Sequence, residues 1–265
     1  MNKILILLIF PFSLELSSQD LSDNYWVQFN SVTSKCYYTL NISESEIINK
    51  KDINCFTVAN KEDLNFMIEN IDSFDKLTSL KILNISISDF NFLVQLPNLK
   101  SLRLSVNKKI NFDSFVFNVN QSKNIYLLGI LKLKSKSNLE KLNQLQNIRY
   151  LSIENSKLNN FYLNMKLWNL RVFNNERKIR YFKTENIEFI YFDENDLKSL
   201  PIGLETSPDL RYLMFSGGKI DIDCPLEGFK FLKIFDVFAA SLTNISESCF
   251  SDNRKVRVLR QVGYK

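Results

Sequence analysis

Aliphatic residues recur along this chain in the spacing L-x-x-L-x-L-x-x-N and its variants, at intervals of roughly 19 to 29 residues. The first frame that fits starts at Ile53, with Phe56 and Val58. Others start at Leu80 (Leu83, Ile85) and Leu99 (Leu102, Leu104, Asn107). The next frame reads either from Ile125 (Leu128, Ile130) or from Leu128 (Leu131, Leu133). The second is preferred because it leaves about 20 residues before Ile148, close to its neighbours. Further frames start at Ile148 (Leu151, Ile153, Leu158), Leu167 (Leu170, Val172, Asn175) and Ile187 (Ile190, Phe192, Asn195, Leu197). Leu210 (Leu213, Phe215, Ile220) and Leu232 (Phe235, Val237, Leu242) follow, and a frame from Val256 decays after Leu259. In each frame the x-L-x-L-x segment predicts a short strand, because alternation sends two aliphatics inward and their neighbours outward. Strands repeated in one sense pair in parallel, and parallel pairing requires a crossover, here the remaining dozen or so residues of each frame.

An inward Asn after the strand can bond to main-chain groups in the turn, which accounts for Asn107, Asn175 and Asn195. Lys61, Ser88, Lys136, Ser156, Gly218 and Ala240 hold that place elsewhere, so the Asn series is broken. A helical bundle is the alternative, favoured by stretches such as Leu139 to Leu151, but Phe, Ile and Val at the strand positions oppose it.

From about residue 53 to 260 the pattern resembles the leucine-rich repeat family. That resemblance implies an α/β leucine-rich-repeat solenoid: curved, with a parallel β-sheet on the concave face and an irregular or short helical convex side. It divides the chain into a segment at 1–18, an N-terminal cap region at 19–52, about nine divergent repeats over 53–250, and a decaying last repeat with tail at 251–265. It also implies a protein-binding module without catalytic residues, and caps closed by disulfides.

The start of the chain reads Met1-Asn2-Lys3 followed by an apolar run from Ile4 to Phe12 broken at Pro11, then small residues near Ser17 and Ser18. This is the anatomy of a secretory signal peptide cleaved near Ser18, and the run is too short to span a bilayer. A buried N-terminal strand is the alternative. No second long apolar stretch follows, so no transmembrane anchor is expected. Four cysteines suit a secreted product. Pairing Cys36 with Cys55 and Cys224 with Cys249 closes short local loops, while free buried thiols remain the other reading. Sequons at Asn41, Asn84, Asn120 and Asn244 are candidate glycosylation sites on that route.

Composition narrows the chemistry. Apolar residues make up 45% and charged residues 24%, as in an ordinary folded domain, and the net charge of +5 is modest. The 22 Phe reflect compositional bias, which warns against assigning each a role. There is no histidine, so the commonest general base and metal ligand is missing. Carboxylate pairs such as Asp193 with Glu194, and Asp221 with Asp223, fall on turns and read as exposed charges, or at most as an adventitious calcium site with Glu227. No enzyme, metal or cofactor is expected.

Aligning the frames places two outward series on the sheet: Ser101, Tyr150, Asn169, Phe189, Tyr212 and Ile234, then Asn84, Arg103, Ser152, Arg171, Tyr191, Met214 and Asp236. Equivalent positions in neighbouring strands lie about 4.8 Å apart. Tyr150, Arg171, Phe189, Tyr191, Arg211, Tyr212 and Met214 therefore form the candidate ligand-binding set, an aromatic centre with a basic border. The expected partner is an extracellular protein or an acidic glycan bound on the concave face, and not nucleic acid. The other reading is a structural or adhesion component of a matrix or surface coat, with self-association through the C-terminal end.

Overall fold

Leu151 pairs with Leu128 on one side and Leu170 on the other, and the same alignment continues through the sheet from Phe56 to Val258. A computed structural model of the chain describes residues 37–38, 53–106, 110–193, 195, 197, 200–216, 219–220, 229, 232, 234–238, 241–242 and 257–261. The strands are β1 (Tyr37–Tyr38), β2 (Cys55–Val58), β3 (Ser79–Ile82), β4 (Ser101–Ser105), β5 (Leu127–Leu131), β6 (Tyr150–Glu154), β7 (Asn160–Leu163) and β8 (Leu167–Phe173). They continue with β9 (Tyr181–Thr184), β10 (Ile187–Asp193), β11 (Tyr212–Ser216), β12 (Lys219–Ile220), β13 (Ile234–Phe238), β14 (Ser241–Leu242) and β15 (Arg257–Gln261). The α-helices are α1 (Lys61–Glu69), α2 (Phe112–Gln121) and α3 (Lys136–Leu142).

An eleven-stranded sheet runs in the order β1-β2-β3-β4-β5-β6-β8-β10-β11-β13-β15, and two-stranded ladders pair β7 with β9 and β12 with β14. All of these pairings are parallel. One continuous core runs from Ile53 to Leu232, so the chain is one α/β domain. Two inward rows build the sheet's half of it, Phe56 through Leu213 and Val58 through Phe215, and every described member is essentially inaccessible to solvent. Each such side chain contributes about 1.5–3 kcal/mol by leaving water.

The other half comes from the crossovers. Phe74 meets Phe56 edge-on at 5.0 Å, Phe115 meets Phe90 at 5.3 Å, and Phe182 stacks on Phe161 at 5.3 Å. Local chemistry starts the helices. Asn60 caps α1 in a reciprocal box with Asp63, whose carboxylate accepts from the Ala59 and Asn60 amides. Asn111 caps α2 by accepting from the Ser114 amide at 3.1 Å.

The leucine-rich repeat assignment and its periodic curved solenoid are corrected here. A repeat fold needs one unit recurring, and these crossovers are not one unit. An α-helix and a 3-10 turn (Ile71–Phe74) join β2 to β3, while a 3-10 turn (Asn91–Gln95) alone lies between β3 and β4. Helices α2 and α3 follow, and from β6 onward the crossovers carry short strands instead, except between β10 and β11, where a 3-10 turn (Leu204–Thr206) stands. The fold is an α/β domain with a large parallel sheet and two small parallel ladders.

Two frames also shift. The strand Ser79–Ile82 pairs Leu80 with Phe56 and Ile82 with Val58, so the frame starting at Leu80 is displaced by one inward position. Leu128 and Ile130 are the inward pair of β5, which selects the frame from Ile125 over the preferred one from Leu128. Crossovers of unequal type have unequal lengths, so even spacing was a poor arbiter of frame.

The turn beyond the strands has two devices. Asn84, Lys132, Asn155 and Asn174, all at the same point after β3, β5, β6 and β8, take left-handed conformations with φ between 45° and 61°. Asn tolerates that region better than most residues. Deeper in, the Asn175 carboxamide accepts from Leu158 N and donates to Leu158 O and Arg177 O, and Asn195 serves Asn175 N, Val172 O and Asp193 O. Ser156 continues the series by accepting from Leu133 N. The main-chain role read for Asn175 and Asn195 holds, and Ser156 shares it; Asn107 lies outside the described residues.

Candidate functional site

The helices and ladders cover one face of the large sheet; the candidate residues stand on the other. Register places Tyr150, Asn169, Phe189 and Tyr212 in one row across β6, β8, β10 and β11. Ser152, Arg171, Tyr191 and Met214 form a second row, two residues further along the same strands. Arg211 precedes Tyr212 at the entrance to β11 and donates to the Pro208 carbonyl at 3.1 Å. The seven candidates thus share one face, each half-buried. Asn84 does not belong to the second row: Lys81 takes its place, opposite Arg103.

The first row is aromatic on both sides of a polar centre. Tyr150 packs edge-on against Trp168 at 5.8 Å and against Tyr126 at 6.3 Å. Phe189 stacks on Tyr212 at 5.9 Å. Between the two groups sits Asn169, whose carboxamide oxygen is buried with no hydrogen-bond partner. Trp168 is 52% exposed, and it was missed by the frame alignment because it precedes the outward position by one residue. Burial raises the pKa of the Tyr212 hydroxyl above the ordinary tyrosine value; Glu188 acts in the same direction and Arg211 against it.

The second row carries charge, and the charge is largely matched within the protein. Arg171 forms an ion pair with Asp193 and lies over the rings of Phe173 at 4.8 Å and Tyr191 at 5.7 Å. Arg103 reaches Glu154 in a second ion pair, and Glu154 also accepts from the Ser152 hydroxyl at 2.9 Å. Lys81, at the end of this network, has its pKa lowered by burial and by Arg103, with Glu154 opposing.

The sequence matches no protein-family model and no curated protein. The leucine-rich repeat resemblance therefore gains no support from comparison, and it fails on the crossovers. The function that rested on it, recognition of an extracellular protein or acidic glycan by the concave face of a repeat module, is corrected with it. So is the matrix or coat component. The basic border that suggested an acidic ligand also included Arg149, Lys233 and Arg257. Asp193 neutralises Arg171, and Arg149 turns back onto the carbonyls of Gln146 and Ile148, while Lys233 and the Arg257 side chain lie outside the described residues.

Other candidate positions are placed more briefly. Cys55 is buried and disulfide-bonded, while Cys36, Cys224 and Cys249 lie outside the described residues, so the two pairings are not resolved. Asn84 is exposed and its oxygen accepts from Ser105 and Lys132. The Asn120 carboxamide is held on both sides, donating to Gln144 O and accepting from Gln146 N. Asn41 and Asn244 are outside the described set, as are residues 1–18, 221–228, 251–256 and 262–265. Among the described residues no group of three His, Cys, Asp or Glu could hold a metal ion, and no helix is long and apolar enough to cross a membrane.

Proposed function

We propose that this chain is a non-catalytic recognition domain that takes an uncharged, extended polypeptide segment across the aromatic row centred on Asn169. The observation that carries this reading is the buried, unpartnered carboxamide oxygen between Tyr150 and Phe189. A buried acceptor without a donor costs about 1–3 kcal/mol. The oxygen is closed to solvent, so a ligand N–H recovers this cost by turning the carboxamide outward. A carboxamide can accept from a peptide N–H and donate to the following carbonyl, matching main chain rather than charge. Tyr150 with Trp168 on one side, and Phe189 with Tyr212 on the other, supply the flanking contact area that rigid aromatic side chains bring to binding sites.

A non-catalytic role is supported by the lack of histidine and by the employment of the buried carboxylates. Asp63 is held in a helix cap, Glu154 by Arg103 and Asp193 by Arg171. Secretion is supported by the leader-like first 18 residues and by the disulfide at Cys55.

Selection from a randomised peptide display library tests the proposal, with the wild-type domain beside Asn169→Leu and Trp168→Ala. Peptides of low net charge should be enriched by the wild type and lost at least tenfold by both variants, on the order expected when a central contact is removed. Enrichment of acidic peptides, or equal capture by Asn169→Leu, would overturn it. Capture of neutral oligosaccharide in place of peptide would move the ligand to another class.

A further inference from the structure

We infer that the outer face of the second layer, over β7 and β9, is a docking surface for an anionic lipid membrane. This face lies across the domain from Asn169 and is independent of the ligand proposed there. Alternation along the two strands sends Phe161, Leu163, Phe182 and Thr184 into the core and leaves Tyr162, Tyr181 and Lys183 outside. Tyr181 is bridged in parallel to Ile202, which extends the ladder by one residue. Ile202 is 62% exposed and Tyr181 43%, high values for large side chains placed side by side on ordered backbone. Main-chain bonds hold them there: Phe182 N donates to Ile202 O, and Ile202 N to Arg180 O, each at 2.9 Å.

The charge around this apolar tip is in positive excess. Arg177, Lys178 and Arg180 are exposed in the loop that leads into β9, where buried Ile179 anchors the chain between them. Of the acids nearby, Glu176 pairs with Lys157, and Glu185 lies 3.9 Å from Lys183 on the same face. Glu205 turns its carboxylate onto the Gly203 amide. The loop cations form no ion pair among the described residues.

A projecting aliphatic residue, two amphipathic tyrosines and an unmatched basic loop are the chemistry of interfacial membrane binding. The apolar tip enters the acyl boundary, the tyrosine rings sit at headgroup level and the cations meet anionic lipid. The side chains project from the surface, which suits a deformable phase that closes around them.

Co-sedimentation of the full chain with vesicles of phosphatidylcholine alone, and of phosphatidylcholine with phosphatidylserine, tests the inference. Binding is expected to the phosphatidylserine vesicles and to weaken with added salt. Each cation removed should weaken partition roughly fivefold, so Arg177→Gln, Lys178→Gln and Arg180→Gln together should cost about a hundredfold. Ile202→Ser should weaken it about tenfold without altering the salt dependence. All four positions are exposed, and an unchanged thermal midpoint will show that the variants fold. No binding to anionic vesicles, equal binding to phosphatidylcholine alone, or full binding by the triple variant would each refute the inference. Tight binding of poly-glutamate by a wild type that ignores vesicles would reassign the loop to an acidic protein.

Discussion

Arg103 on β4 and Glu154 on β6 are joined in an ion pair although β5 runs between their strands. The residue of β5 that stands directly beside Arg103 in register is Gly129, and beyond it comes Ser152. A glycine there leaves the guanidinium a path over the strand. Glu154 is almost fully enclosed, so its charge depends on that reach.

Glu154→Ala should therefore destabilise the domain by about 3 kcal/mol, the cost of leaving a partner charge uncompensated in a mostly buried site. Glu154→Leu combined with Arg103→Met should recover most of that loss. Gly129→Val should reproduce part of the single-variant defect by blocking the crossing. Urea unfolding of the four proteins measures this, and a Glu154→Ala chain as stable as wild type would show that the pair is incidental.

Gly203 has φ of 92°, and a Cβ on it would lie 3.0 Å from the Phe182 carbonyl oxygen. Backbone and contact both oppose a side chain. Gly203→Ala should lower stability by about 1–3 kcal/mol, seen as a drop in the thermal midpoint. Ser207, a few residues away with no positive φ, serves as a control for Ala substitution only if its bond from the Thr184 hydroxyl is counted.

Lys132 sits in the left-handed region at φ 61°, where its counterparts Asn84, Asn155 and Asn174 are all asparagine. Lys132→Asn should stabilise the chain by about 0.5–1 kcal/mol, because Asn reaches this conformation at lower cost. The bond from Lys132 to Asn84 is exposed and its loss subtracts little. Denaturant midpoints of the two chains decide the sign.

Alkaline pH should act on Tyr212 and Lys81 in opposite directions. The folded pKa of Tyr212 lies above its ordinary value of 10.0, so beyond that pH the unfolded chain releases the proton first and stability falls. The folded pKa of Lys81 lies below its ordinary 10.5, so in the window beneath that value the folded chain binds fewer protons and stability rises with pH. Tyr212→Phe should flatten the loss and Lys81→Met the gain, read from unfolding curves taken across the alkaline range. Absorbance titration should show one phenol fewer at the high end in Tyr212→Phe.

Much of the large sheet was readable because inward aliphatics are fixed by a period of two. Leu102 with Leu104, Leu151 with Ile153 and Ile190 with Phe192 are the inward pairs that their spacing predicts. The crossovers were not readable in the same way. Phe161-Tyr162-Leu163 alternates as a strand, yet four residues between turns carry too little pattern to separate a ladder from a short helix. At the site, register aligned Tyr150, Phe189 and Tyr212, since it follows from strand pairing. That Arg171 is matched by Asp193, and Asn169 by nothing among its neighbours, depends on side-chain directions that no spacing encodes.

The change of backing between β6 and β8 has a mechanical consequence. Packed helices stand roughly 8–10 Å apart, whereas paired strands stand about 4.8 Å apart. Where α2 and α3 back the sheet, the rear elements are spaced more widely than the paired strands in front of them. Where β7 and β9 back it, both layers advance by the same step and the strands can run level. Tyr126 and Tyr150 lie toward the helix-backed half, Phe189 and Tyr212 toward the ladder-backed half, and Asn169 on β8, where the backing changes. A segment laid along the row crosses at Asn169 from a part of the sheet backed by helices to a part backed by strands.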